Sequence, residues 1–314
     1  MPKKIIIDTD PGIDDAMAIL FALNSPELEV VGLTTIFGNV HTALATRNAL
    51  RLVEFAGRGR IPVVHGAHRP LHIELEGVAD YVHGTNGLGD VPHDDPLGQA
   101  EECSAAQFIV NTVMRQPGEI TLIPIGPLTN LALALLLEPR IVDQVSEVIV
   151  MGGAAMVNGN VNPAAEANIW NDPHAADRVF TAGWPVTMVG LDVTEKIVMD
   201  EEYFASLRGS RTGAYIDAIS QYYLDFHYQW HAVRSCHTHD PSAIAYAIDP
   251  SLFTARVGPI RVVTEGIARG QTIWDRRQEW ARPTAWSGQP MVNVCVGVDD
   301  RRFLELYRQR ILAA

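Results

Sequence analysis

The sequence predicts an α/β protein built on a doubly wound, mostly parallel sheet, Rossmann-like, with a helical elaboration beside its ligand-binding edge. Two observations carry that expectation. Near-continuous apolar segments rich in β-branched residues recur through the first two thirds of the chain, as strands buried on both faces require. Between them lie stretches with helical patterning, a β-α-β rhythm that puts helices on both sides of the sheet. At 314 residues the chain reads as a single domain over 1–314, with no internal repeat, low-complexity tract or linker.

The strands are expected at 4–8 (KIIID), 28–36 (LEVVGLTTI), 61–64 (IPVV), 120–125 (ITLIPI), 147–151 (EVIVM) and 185–190 (PVTMVG). Helical patterns fill 14–24, 42–57, 104–115, 128–137 and 174–182. From DEEYF (200–204) to HDPSAIAYAI (239–248) the chain reads as helical, aromatic and rich in histidine. The last part, with IRVVTEG (260–266), GQTIWD (270–275) and MVNVCVGV (291–298), reads as strands before an amphipathic helix, DDRRFLELYRQRIL (299–312).

Composition narrows the partners. A formal net charge of −13 argues against nucleic acid and acidic membrane surfaces, and favours a small, neutral or cation-bridged ligand. The three cysteines, Cys103, Cys236 and Cys295, form no CxxC and read as free thiols of a reducing compartment. The opening MPKKIIID is too short in apolar residues for a signal peptide, and the most apolar run, LALALLL (131–137), is cut off by Pro139. These features predict a cytoplasmic protein without a membrane partner.

The chemistry begins with DTDPGIDDA, residues 8–16, which crowds Asp8, Asp10, Asp14 and Asp15 around a Pro-Gly turn where the first strand hands over to a helix. In an open α/β sheet, ligands bind beyond the carboxyl ends of the strands, and this turn lies at that edge. An N-cap acid and first-turn acids favoured by the helix dipole explain one or two of the four. A divalent cation explains the crowding better, since unscreened carboxylates repel. With oxygen donors alone, Ca²⁺ or Mg²⁺ is expected over zinc. An EF-hand is excluded by Pro11 and by Ile19 at the twelfth loop position. A D-x-D after a first strand also fits Mg²⁺-dependent phosphatases with an aspartate nucleophile. Those need a supporting lysine, and the chain has only Lys3, Lys4 and Lys196.

Taken with IPIGPLTNLALAL (123–135), MGGAAMVNGNVNPAAEANIWNDPHAAD (151–177) and HDPSAIAY (239–246), the opening motif resembles the inosine–uridine-preferring nucleoside hydrolase family. VHGTNGLGD (82–90) and GIARGQTIWDRR (266–277) extend the resemblance over nearly the whole chain. It implies the nucleoside hydrolase fold, Ca²⁺-dependent cleavage of the N-glycosidic bond of ribonucleosides, and a homodimer or homotetramer. Ca²⁺ would be held by Asp10, Asp15, Asp240 and the backbone carbonyl of Ile125, and Asp10 would be the general base that activates a metal-bound water. Asp14 and Asn39 would grip ribose hydroxyls, Asn160 and Glu166 the 5′-hydroxyl, and Asn168 the 2′/3′ side. Glu166 and Asn168, as i and i+2 of an extended segment, would point the same way. Asp8 would be structural, bonding backbone amides in the turn.

Four of the eleven histidines fall in HYQWHAVRSCHTH (227–239). His239, directly before Asp240, is the candidate for protonating or polarising the leaving base, and His83 is its expected partner; imidazoles suit that work near neutral pH. Pyrimidine-preferring members tend to carry Gln and Tyr where this chain has His227 and His231, which leaves base preference open. Trp230 and Trp274 are candidates for stacking on a base. A non-catalytic ribose- or nucleoside-binding protein with a structural Ca²⁺ is the alternative outside enzymes.

Overall fold

The computed structural model describes residues 1–277 and 279–313, and of His231 the backbone alone. In chain order the strands are β1 (Lys3–Thr9), β2 (Leu28–Thr35), β3 (Val63–Val64), β4 (Ile120–Pro124), β5 (Glu147–Met151), β6 (Val186–Val189), β7 (Val198–Asp200), β8 (Ser235–His237), β9 (Phe253–Gly258), β10 (Ile260–Val262), β11 (Thr272–Trp274) and β12 (Val292–Val298). The α-helices are α1 (Ile13–Leu23), α2 (Thr42–Phe55), α3 (Asp80–His83), α4 (Ala105–Arg115), α5 (Thr129–Leu137), α6 (Ala167–Asn171), α7 (Pro173–Phe180), α8 (Leu191–Thr194), α9 (Glu201–Ser206), α10 (Arg211–His231), α11 (Asp240–Ile248) and α12 (Asp300–Leu312). Among the described residues, no helix is long and apolar enough to cross a membrane. The three cysteines form no disulfide.

Eight strands form one sheet in the order β3-β2-β1-β4-β5-β6-β12-β9, parallel except for β9, which runs antiparallel to β12. The alternation of a strand assigns its faces. Ile5 and Ile7 of β1 enter the core shared with α1, α2, α10, α11 and α12, whereas Ile6 enters the opposite core with α4, α5 and α7. Every residue of α1 from Ile13 to Ala22 is buried, because the sheet, α10, α11 and α12 enclose it. That is the packing an all-round apolar helix requires.

The expected strands and helices of the first 190 residues are all present, with ends shifted by a few residues. The third quarter is less uniform than its pattern suggested. After α9 and α10 the histidine-rich run leaves the helix, pairs β8 antiparallel with β7, and re-enters a helix at Asp240. Strand β9 was not anticipated. Its residues pair along β12 from Phe253↔Val298 to Gly258↔Val292, an edge contact that a half-exposed, non-alternating segment does not advertise.

One buried side chain ties the sheet edge together. Asn130, at the start of α5, donates through Nδ2 to Asp8 Oδ1 (2.8 Å) and to the Thr35 carbonyl (3.0 Å), and accepts from the Ala67 amide (2.9 Å). A Cβ at Gly66 would collide with the Thr35 carbonyl and with the Asn130 amide, so the 66–67 turn passes close only because it carries glycine. Asn130→Ala would leave three buried polar groups without this partner. Chemical denaturation should show a loss of about 3 kcal/mol, within the range for such orphaned groups. A loss under about 1 kcal/mol would mean that Asn130 does not brace this edge.

Candidate active site

The strand order 3-2-1-4-5-6 reverses between β1 and β4, and this topological switch point opens a crevice at the carboxyl ends of the strands. The loops after β1, β2, β4 and β5 meet there, and a cavity of about 800 Å³ fills the crevice. Nine residues expected from the sequence line it: Asp14, Asn39, His83, Ile125, Asn160, Glu166, Asn168, His239 and Asp240. Asp10 and Asp15 are buried behind this lining.

The acids differ in how their oxygens are used. Asp15 takes four donors: Thr9 Oγ1 (2.5 Å) and the Asp10 amide (3.1 Å) on Oδ1, and the Gly12 amide and Asn39 Nδ2 (both 2.9 Å) on Oδ2. It is also the N3 acid that closes the capping box of α1. Asp10 accepts the Asn39 amide on Oδ2 (2.6 Å), and its Oδ1 is buried with no hydrogen-bond partner. Asp14 Oδ1 is likewise buried and bare. Asp8, expected to bond turn amides, instead accepts from the side chains of Thr34 (2.5 Å) and Asn130 (2.8 Å). It lies one residue before the end of β1, where Thr34 of β2 and Asn130 of α5 bring side chains rather than free amides.

Burial pushes all these carboxyls up: Asp8 to about 7, Asp14 to about 6, and Asp10, Asp15 and Asp240 above the ordinary range, with their mutual charge adding to the effect on the last three. Oxygens of Asp14, Asp15 and Asp240 lie within 4.8 Å of one another. Ligands on opposite sides of one Ca²⁺ stand about 5 Å apart, so this group fits a single coordination sphere. Asp14 rather than Asp10 completes it. Asp10 is held back by the Asn39 amide, between two glycines where a Cβ would collide with its carboxylate, Gly38 at Oδ2 and Gly126 at Oδ1.

The 151–171 loop corrects one expectation. Glu166 and Asn168 do not share an extended segment: Glu166 is the N-cap of α6 and Asn168 lies inside that helix. Glu166 accepts the amides of Asn168 (2.9 Å), Ile169 (3.2 Å) and Gly153 (2.9 Å), so it first organises the loop. Asn168 spends Nδ2 on the carbonyls of Ile125 (2.9 Å) and Met151 (3.2 Å), leaving Oδ1 to accept from a ligand. Asn160 accepts the Ala167 amide on Oδ1 (3.0 Å), which leaves its Nδ2 to donate.

The opposite wall is aromatic. His83 ends the one-turn helix α3 and is buried; its Nδ1 accepts the Ile13 amide (3.2 Å) and stands 3.9 Å from Asp14 Oδ1. Its ring lies 5.6 Å from Tyr223, which lies 4.6 Å from His227. His239 Nδ1 bonds Thr194 Oγ1 (2.9 Å). Burial pushes His83 down to about 4 against the opposing pull of the Asp15 carboxylate, and pushes His239 down to about 3 with help from His237, His227 and His83. Trp230 borders the cavity mouth and is 72% exposed. Trp274 does not line the cavity; it is 7% exposed in the core beneath β10–β11. The His231 side chain lies outside the described residues. Sequence reading missed Tyr223, Phe226 and His237 as lining residues. A signal existed, since residues 223, 226, 227 and 230 occupy one stripe of α10 at i, i+3, i+4 and i+7.

These acids also dictate a pH dependence. An acid with a raised folded-state pKa keeps its proton where the unfolded chain has released it. Its stabilising contribution is therefore complete below the unfolded value near 4 and is lost as pH climbs through the folded value. With Asp14 at about 6 and Asp8 at about 7, chelator-stripped protein should weaken from about pH 4 to 7. A divalent cation replaces the protons lost by the clustered acids, though not that of Asp8, so the rise in Tm on adding Ca²⁺ should grow as pH climbs from about 4 through 6. Equal shifts at both ends in scanning fluorimetry would refute the site.

Comparison with known proteins agrees with this arrangement. Residues 5–305 match the family model of the inosine-uridine preferring nucleoside hydrolases. A probable uridine nucleosidase 2 of Arabidopsis thaliana is 47% identical, the alignment covering 99% of this chain and 98% of that protein. A plant nucleoside hydrolase structure superposes with a TM-score of 0.98 at 45% identity over all of both chains. A purine-preferring ribonucleoside hydrolase from Gardnerella vaginalis gives 0.92 at 36% identity over 99% of this chain and 98% of that one. With acids, amides and imidazoles meeting at the switch point of this sheet, the chain belongs to the inosine–uridine-preferring nucleoside hydrolase family.

Proposed function

We propose that the protein hydrolyses the N-glycosidic bond of ribonucleosides to free base and ribose. The observation that carries this reading is the division of one cavity into two chemistries. One wall offers carboxylates and amides suited to a polyhydroxylated sugar, and the other offers imidazoles and aromatic rings suited to a flat base. Departure of the base leaves an oxocarbenium-like sugar, and buried carboxylates beside it stabilise the developing positive charge.

Asp14, Asp15 and Asp240, whose oxygens converge, would hold a divalent cation together with the Ile125 carbonyl, with Asp10 beside them. Three or more carboxylates and a carbonyl suit Ca²⁺ better than Mg²⁺, which keeps more of its water. When bound, the cation supplies Lewis acidity that lowers the pKa of water. Asp10 Oδ1, the oxygen without a donor, takes the proton from the attacking water. Asp14, Asn39 through its remaining Oδ1, Asn168 Oδ1, Asn160 Nδ2 and Glu166 position the ribose. His239 and His83, both neutral, act on the leaving base by hydrogen bonding rather than as imidazolium acids.

The phosphatase reading loses its parts in this arrangement. Asp8 is buried between Thr34 and Asn130 and does not line the cavity. Lys4 bonds Gln116 and Glu119, Lys196 bonds the Val296 carbonyl and Lys3 pairs with Glu147, all away from the crevice.

A panel of purine and pyrimidine ribonucleosides assayed for released reducing sugar tests the reading. At least one should turn over, and Asp10→Asn should lower its kcat by roughly 10²–10⁴-fold, the span of a general base. No turnover of any nucleoside would leave a binding protein, and near-normal turnover by the variant would remove Asp10 from the role.

His239 should matter only when the base leaves poorly. His239→Ala should slow inosine or uridine about tenfold or more relative to p-nitrophenyl riboside, whose phenolate departs unaided. Equal losses on both would assign His239 to the fold or the cation site.

A further inference from the structure

We infer that Thr194 is a positioning residue that fixes the tautomer of His239, so that this imidazole presents Nε2–H to the leaving base. The inference rests on the hydrolase reading above, but the geometry behind it is independent. Thr194 is fully buried at the end of α8, and its hydroxyl bonds His239 Nδ1 at 2.9 Å, its one side-chain partner among the described residues. A hydroxyl carries one proton and needs an acceptor for it. If Nδ1 carried the ring proton and donated it, the Thr194 proton would be buried with nowhere to go, an arrangement that folded proteins avoid. With Oγ1–H donating to Nδ1, both groups are satisfied and the ring proton must sit on Nε2.

The backbone around this pair is held on both sides. Asp192 in α8 accepts the amides of Ala155 and Met156 (both 2.8 Å), and the Thr194 amide closes on the Gly190 carbonyl (3.1 Å). The Thr238 amide bonds the Ile197 carbonyl (3.0 Å), fixing the residue before His239 to the segment that follows α8. His83 shows the same polarity by another route. Its Nδ1 accepts a backbone amide, which can only donate, so its Nε2 also carries the proton. The base wall thus offers two ring N–H donors whose opposite nitrogens are both occupied by protein.

Neutron diffraction from deuterium-exchanged crystals of the whole protein tests the tautomer without any assay. Deuterium should lie on Nε2 of His239 and on Oγ1 of Thr194; deuterium on Nδ1 of His239 overturns the inference even if nucleosides are hydrolysed. Thr194→Val keeps the shape and removes the hydroxyl. It should lower kcat for inosine or uridine about tenfold with KM little changed, and alter turnover of p-nitrophenyl riboside less than twofold. Thr194→Ser should restore the natural substrates. Equal losses on both substrate types, or no rescue by serine, would make Thr194 a packing residue only. Correct deuterium positions without nucleoside turnover would instead count against the hydrolase reading.

Discussion

The site depends on one electrostatic constraint: several carboxylates must stay buried within a few ångströms of one another. Asp10, Asp14, Asp15 and Asp240 cannot all be ionised there without donors or a cation. Available donors are shared unequally. Asp15 takes four and is thereby fixed as scaffold, while Asp10 and Asp14 each keep one oxygen bare. An acid with four donors is held in place and presents its charge from a fixed position, and an acid with a bare oxygen is free to take a proton or a hydroxyl as well. The division of labour among four chemically identical side chains is therefore set by who donates to whom.

The fold supplies that distribution. Parallel strands end together at the switch point, where chain direction leaves amides and carbonyls without ladder partners. The loop after β2 brings Asn39, whose amide holds Asp10 and whose side chain holds Asp15. Gly38 and Gly126, from the loops after β2 and β4, let two backbones close on Asp10 where any Cβ would strike its carboxylate. One layer down, Thr34 of β2 and Asn130 of α5 both donate to Asp8 Oδ1, which ties the strand that carries the acids to the elements beside it, while Asp8 Oδ2 stays buried without a partner.

Much of this was legible in the sequence, and the failures share a cause. The strands of the parallel sheet announce themselves because burial on both faces makes them continuously apolar, and DTDPGIDDA is dense enough to point to a cluster of acids that could bind a cation. What escaped depends on partners distant in sequence. Strand β8 is three residues of a histidine-rich run and exists because β7 pairs with it. Glu166 looked extended because it follows a Gly/Asn/Pro-rich loop, yet its carboxylate caps a five-residue helix that no periodicity could reveal. Trp274 was a candidate base platform with core as the alternative, and it is core, since β11 faces inward at that residue. The stripe of Tyr223, Phe226, His227 and Trp230 was present in the pattern, but helical spacing alone does not say whether a stripe faces core or cavity.

The two halves of the cavity are built from different parts of the fold, and this bears on base preference. Carboxylates and amides on the sugar side come from strand-end loops and the first turns of α1, α6 and α11, where any shift would disturb the sheet. The base side comes from α3, α10 and β8, which lie outside the eight-stranded sheet. Residues 226, 227 and 230 stand on the last turns of α10 and are partly or largely exposed. Substituting them changes the surface offered to the base without removing a sheet contact. Ring N–H donors at His83 and His239 suit that division, because carbonyl oxygens and ring nitrogens occur on purines and pyrimidines alike. Under the proposed reading the donors would assist departure of either kind of base, and discrimination would fall to the shape of the wall that α10 presents.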